Sequence, residues 1–353
     1  MISSQKRVVV GMSGGVDSSL TASILKNQGY EPTGITLSLW AEGSRCCSEK
    51  DVLDAKKVCQ TLRIPHYTIC HQSRFQREVV DYFVNEYARG RTPNPCVVCN
   101  ERIKFKMLLS KAMEIGTHYV ATGHYARVEH DQESGFLLLK RGVDEAKDQS
   151  YFLATLPQAM LRRILLPMGS ITKKQARESA RSSGLHVKDK SESQEVCFVR
   201  EGEQESFLER RIGNQNGEIV GEDGEVLGRH SGIYRYTIGQ RRGLGLSQRY
   251  PLYVRALDDK EKKVFVGRED SLLKKTVTIE GVRFLARQKG RAVEVEAKIR
   301  YGSPPCPAKF ELLEENRAKL TFQVPQKAVT PGQLAVAYTG DTVYASGWIL
   351  SGQ

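Results

Sequence analysis

The run Ser13-Gly14-Gly15-Val16-Asp17-Ser18-Ser19 is the segment best equipped for chemistry. Successive glycines let backbone N–H groups converge on an anion, serine hydroxyls add donors, and a helix opening behind them adds positive potential. Such a turn cradles phosphate. It is not the P-loop of kinases and GTPases, because no Gly-Lys-Ser/Thr follows. Cysteines at 46, 47, 59, 70, 96, 99, 197 and 306 form the second set. Cys96 and Cys99 are spaced Cys-x-x-Cys. Cys99 is expected at the end of an irregular Pro/Asn loop, just before a helix, where a thiolate would be stabilised. Cys197 follows a polar stretch from Asp189 to Glu195. Only the fold can bring Cys99 and Cys197 together, and either one alone reads better as a small buried hydrophobe. Cys59 and Cys70 read as core and Cys306 as incidental. The Cys46-Cys47 pair fits metal binding, sulfur acceptance or neither. Without a second Cys-x-x-Cys, a four-cysteine zinc site has little support.

Lys plus Arg number 53 against 41 Asp plus Glu, a formal net charge of +12. The excess is spread over both halves of the chain. It suits a large polyanion as well as plain solubility. Arg229 to Leu257 contains six arginines and no acidic residue, interleaved with Tyr234, Tyr236, Tyr250 and Tyr253. Guanidinium forks suit phosphates and aromatic faces suit bases, so this stretch is a candidate RNA surface.

Positioning these groups takes more than one core, because 353 residues exceed what a single core usually serves. At 40% hydrophobic and 27% charged the chain is expected to fold. No apolar run approaches a membrane span, and Met1 to Arg7 passes straight into a strand-like run, so a cytoplasmic protein is expected. Residues 6–11, 32–40, 66–70 and 117–122 read as strands. Residues 16–28, 49–62, 73–89 and 101–115 read as helices, and 91–99 as a loop. Alternating strands and helices imply a parallel sheet with helices on both faces. After about residue 213 short glycine-punctuated strands take over, which implies small β domains or a barrel. The expected units are a catalytic domain over 1–210, a central β-rich domain over 211–275 and a C-terminal β-barrel over 276–353.

SGGVDSS resembles the pyrophosphate-binding loop of the ATP pyrophosphatase (PP-loop) family. Within it the chain resembles the tRNA 2-thiouridylases. Six further segments carry that resemblance in order: GRTPNPCVVCN (90–100), ATGHYAR (121–127), KDQSYFL (147–153), SQEVCFV (193–199), YTIGQRRGLG (236–245) and VTPGQLAVAY (329–338). The resemblance implies that ATP, with Mg²⁺, adenylates the C2 oxygen of the wobble uridine (position 34) of tRNA, and that sulfur from a persulfide replaces that oxygen. By motif match Cys197 carries the persulfide. Cys99 attacks it and releases sulfur to C2, leaving a Cys99–Cys197 disulfide. Gly11, Met12, Ser13, Gly14, Gly15, Val16, Asp17 and Ser18 match the ATP loop, with Asp17 orienting the loop or the metal. Leu37 and Gly123 match positions lining adenine and ribose. Asn94, Pro95 and Cys96 match the segment touching the target base. His124, Lys147, Asp148, Gln149, Arg300, Tyr301 and Gln333 match tRNA contacts, and the basic central stretch adds Arg241 and Arg242. The implied partners are tRNAs with Lys, Glu and Gln acceptors and a cysteine desulfurase or sulfur-relay protein.

One position departs from the resemblance. Many members of the resembled family carry aspartate, a candidate acid/base, where this chain has Cys96. Cys96, Cys99 and Cys197 together could hold an open four-iron four-sulfur (4Fe–4S) cluster. Equally, Cys96 could be a spare thiol beside a disulfide-forming pair. Two rivals stand beside thiolation: another PP-loop enzyme, such as a tRNA amide- or amidine-forming synthetase, and a non-catalytic RNA-binding sulfur carrier.

Overall fold

The computed structural model describes residues 6–40, 49–183, 196–247, 249–314 and 316–353. In chain order its first part carries β1 (Arg7–Gly11), β2 (Glu31–Ser38), β3 (His66–Cys70), β4 (Tyr119–Ala121), a hairpin of β5 (Ala126–His130) and β6 (Leu137–Arg141), and β7 (Ile164–Leu165). β1 to β4 and β7 form one sheet in the order β3-β2-β1-β4-β7, parallel throughout. β1 is central because its residues are apolar on both faces. Val9 enters one core with Ile35 and Phe105, while Val8 and Val10 enter another with Met12, Leu25 and Cys59. The chain moves outward from β1 through β2 to β3, then returns to lay β4 on the other side of β1. That reversal opens a crevice at the carboxyl ends of β1 and β4, where ligands of open α/β sheets bind.

The middle part forms a four-stranded sheet of β8 (Gly217–Val220), β9 (Val226–His230), β10 (Tyr253–Asp258) and β11 (Lys263–Gly267), in the order β10-β11-β8-β9. Ile219, Ile233, Val254, Val264 and Val266 fill its core. The last part is a closed six-stranded barrel. Its strands are β12 (Leu273–Phe284), β13 (Ala292–Lys298), β14 (Cys306–Leu312), β15 (Arg317–Lys327), β16 (Leu334–Thr339) and β17 (Thr342–Gly352), and pairing of β12 with β17 closes it. β6 pairs with β17 at Lys140 and Thr342, a long-range contact that ties the first part to the barrel and that no local pattern announces. Arg127 reinforces that joint through Asp341 at 2.6 Å.

Two expectations need correction. Residues 95–98 are not loop. Asn94 caps a helical turn with Pro95 in its first position, and the helix runs on through a π-turn (Cys99–Lys104) into Phe105–Glu114. Cys99 therefore sits one turn inside a helix. Cys70 is exposed and not core, because β3 is the sheet's edge strand. Cys59 is fully buried as expected, and burial pushes its thiol up to about 12. Among the described residues no helix is long and apolar enough to cross a membrane.

Candidate active site

β1 delivers residues 12–15 to the crevice, and the helix Val16–Asn27 begins there with no side chain capping it. Gly14 has φ +71°, and a Cβ on it would collide with the backbone of Asp51. Serines hold the turn: Ser18 Oγ donates to the Gly15 carbonyl at 3.1 Å and accepts from the Ser13 amide at 3.2 Å. Ser19 Oγ donates to the same carbonyl at 2.7 Å. Gly123, two residues beyond β4, presses on the loop so closely that a Cβ would lie 2.8 Å from the backbone of Asp17 and Ser18. Leu37 is buried near the end of β2, on the same rim. A glycine-lined, uncapped helix start is a fit for a polyphosphate.

Asp17 has partners that sequence reasoning missed. Tyr125 donates its hydroxyl to Oδ1 at 2.8 Å, and Lys173 Nζ lies 2.8 and 2.9 Å from Oδ1 and Oδ2. Both oxygens are engaged, which fixes the carboxylate at the start of the helix. Lys173 is 8% exposed and occupies the first position of the helix Lys173–Ser182. A cation there opposes the helix dipole. A lysine directly after the Thr172 cap was the available signal that its charge serves something else.

The second wall is the helical run 95–114. Cys96 and Cys99 are three residues apart and share one side of it. Cys96 is exposed on that side. Desolvation by its neighbours raises its thiol pKa, with Lys104 opposing. Phe105, in the same run, lies 5.7 Å from the ring of His124. His124 Nδ1 is 2.7 Å from Thr122 Oγ1. Desolvation and the nearby Lys104 charge hold His124 well below the usual histidine range, so it is neutral at pH 7. His124 follows Gly123, so the thiol-bearing helix and the phosphate loop meet at this residue.

Cys197 lies on a segment anchored by Phe198, whose ring packs against Trp40, Phe75, Phe83 and Phe207 at 5.2–6.3 Å. Cys99 and Cys197 are both half-buried, border the same apolar core, and are not in a disulfide. Cys96, Cys99 and Cys197 are not gathered as a ligand set: among the described residues no three His, Cys, Asp or Glu side chains stand close enough to hold a metal. Two of the thiols ride on one helix while the aromatic cluster fixes the third, so the three do not fit a cluster site here. Cys46 and Cys47, and the stretch from Asp189 to Glu195, lie outside the described residues.

The expected RNA contacts divide. Arg241, Arg242 and Arg300 are exposed and Lys147 is half-buried. Tyr301 is 37% exposed, with its ring 4.4 Å from that of Phe152. Of the other four, His124 packs on Phe105 as described, and Asp148, Gln149 and Gln333 hydrogen-bond within the protein. Asp148 is buried and its carboxylate accepts from the amides of Gly142 and Ser150 and from the Ser150 hydroxyl. Gln149 Oε1 accepts from the Tyr125 amide at 3.0 Å. Gln333 Nε2 donates to the carbonyls of Thr92 and Pro93 at 2.8 and 3.3 Å, so a barrel loop braces the approach to Asn94 and Pro95.

Three family models match the chain in order: a tRNA methyl transferase HUP domain over 6–201, a tRNA methyl transferase PRC-barrel domain over 205–268 and an aminomethyltransferase beta-barrel domain over 274–349. The chain is 47% identical to the tRNA-specific 2-thiouridylase MnmA of Geobacter metallireducens, covering 98% of this chain and 97% of that protein. It is 46% identical to the protein of that name from Moorella thermoacetica, covering 97% and 99%. The chain belongs to the tRNA-specific 2-thiouridylase family. The model descriptions and the relatives' names differ in the group transferred, methyl or sulfur. The relatives match nearly the whole chain, and their names give sulfur.

Proposed function

We propose that this protein replaces the C2 oxygen of the wobble uridine (position 34) of tRNA with sulfur, using ATP to activate that oxygen. The meeting of the phosphate loop and the thiol-bearing helix at Gly123 and His124 carries this reading. The C2 oxygen attacks the α-phosphorus of ATP, and pyrophosphate leaves. The loop at 12–18, oriented by the Asp17–Lys173 pair, holds the phosphates. Mg²⁺, when bound, would neutralise phosphate charge. The Cys99 thiolate then attacks Cys197 Sγ in a Cys197 persulfide, forming a Cys99–Cys197 disulfide and expelling hydrosulfide. Hydrosulfide attacks C2, the C2–O bond breaks with its electron pair going to AMP, and 2-thiouridine remains after loss of a proton. A dithiol reductant must then reopen the disulfide. The persulfide donor belongs to the class of cysteine desulfurases or sulfur-relay proteins, and tRNAs with Lys, Glu and Gln acceptors are the substrates. In this reading residues 1–210 form the catalytic unit, while 211–275 and the barrel of 276–353 hold tRNA. Exposed Arg241, Arg242 and Arg300 support an electrostatic grip on RNA. Mass spectrometry of tRNA nucleosides from a strain lacking the gene, with and without complementation, tests it. Unchanged 2-thiouridine in the deletion strain contradicts it.

A further inference from the structure

Lys104 closes the π-turn of the helical run 95–114. One α-turn followed by one wider π-turn spans about eight residues, so Lys104 returns to the side of the helix that carries Cys96. The next residue, Phe105, meets the ring of His124. Lys104 thus stands between the thiol wall and the nucleotide wall of the crevice. It is half-buried, and among the described residues it has no ion pair. Glu101, the acidic residue in the same turn, pairs instead with Arg283 at 3.1 Å. The groups it faces, Cys96 and His124, are neutral, and its charge helps keep His124 so. A half-buried ammonium with no ion pair of its own has its charge available to an anionic ligand.

We propose that Lys104 is a catalytic residue whose ammonium binds the phosphate joining AMP to the C2 oxygen of the activated uridine. This rests on the thiolation reading above and adds a role to it. When sulfur attacks C2 and the C2–O bond breaks, the electron pair moves onto the oxygen that departs with AMP. A cation beside that phosphate stabilises the departing charge. Lys104 is placed to serve this point because it lies where the sulfur side and the nucleotide side meet. Lys173, by contrast, is neutralised by Asp17 before any ligand arrives.

The test compares wild type with Lys104→Met and Lys104→Arg. AMP and adenosine, which lacks the phosphate, are titrated into each protein in the presence of unmodified tRNA. Melting temperatures and tRNA affinity are recorded beside them. Lys104→Met should weaken AMP binding roughly 10- to 100-fold, the loss expected for one charge-assisted hydrogen bond. Adenosine affinity and melting should stay at wild-type values, and Lys104→Arg should recover most of the loss. AMP affinity unchanged in Lys104→Met overturns the assignment, as does a parallel loss of adenosine affinity. Thiolation by wild type is assayed separately. If wild type makes no 2-thiouridine while Lys104→Met still loses AMP selectively, the thiolation reading falls and the phosphate contact stands. If wild type thiolates and Lys104→Met binds AMP normally, only the Lys104 role falls.

Discussion

Lys173 and Asp17, 156 residues apart, form a bidentate ion pair of 2.8 and 2.9 Å beneath the phosphate loop. With Tyr125 on the same carboxylate, the pair fixes the start of the first helix before any nucleotide binds. A preformed loop spares ATP the cost of ordering it.

Asp17→Ala should therefore cut tRNA-dependent AMP release at least a hundredfold and leave tRNA affinity within about threefold. A double-mutant cycle of Asp17→Asn and Lys173→Met should give a coupling of about 1–3 kcal/mol in unfolding free energy. Additive effects would show that the pair does not act as a unit.

The thiols should separate from the adenylation machinery. Cys99→Ser and Cys197→Ser should each abolish 2-thiouridine while AMP release persists. Persulfide labelling with a desulfurase should fall on Cys197. Full thiolation by Cys99→Ser would falsify the paired-thiol step.

Phe198 should set the position of Cys197. Its ring is 3% exposed and packs on four other aromatic rings. Phe198→Ala should cost about 3–5 kcal/mol of stability by leaving a cavity. Phe198→Leu should keep the fold and slow thiolation more than AMP release. Equal slowing of both would remove Phe198 from the sulfur step.

RNA affinity should fall steeply with salt. Arg241→Ala with Arg242→Ala should reduce the slope of log affinity against log salt by roughly one per arginine. An unchanged slope would move the RNA surface away from the central sheet.

His124 also gives a pH signature. Its folded-state pKa lies well below the unfolded value of about 6.5, so the unfolded chain binds the proton more readily. Stability should then fall as pH drops below about 6.5, and go on falling until the folded pKa is passed. His66 and His230 are lowered too and contribute in the same direction. His124→Gln should flatten part of the drop in melting temperature between pH 7.5 and 5.5. An equal drop in both proteins would place the effect in the other histidines.

The phosphate loop was legible because its requirements are local. An apolar triplet, two glycines and a helix start sit next to one another in sequence, and their backbone geometry follows from residue type. The barrel was legible as a rhythm of short strands. What escaped was set by tertiary contact. Lys173 and Tyr125 reach Asp17 only through the fold, and Lys104 gains meaning only when the π-turn brings it round to Cys96. Asp148, Gln149 and Gln333 each also hydrogen-bond to backbone groups that only the fold brings to them. Cys99 was expected at the end of a Pro/Asn loop, whereas Asn94 and Pro95 form the cap and first position of a helix that carries it.

Transfer of the C2 oxygen itself is the most direct test of ATP activation. A tRNA carrying ¹⁸O at C2 of the wobble uridine is incubated with the protein, ATP, cysteine and a desulfurase, and the released AMP is weighed by mass spectrometry. The expected result is one ¹⁸O in AMP for each 2-thiouridine formed. Formation of 2-thiouridine with unlabelled AMP would contradict adenylation of that oxygen.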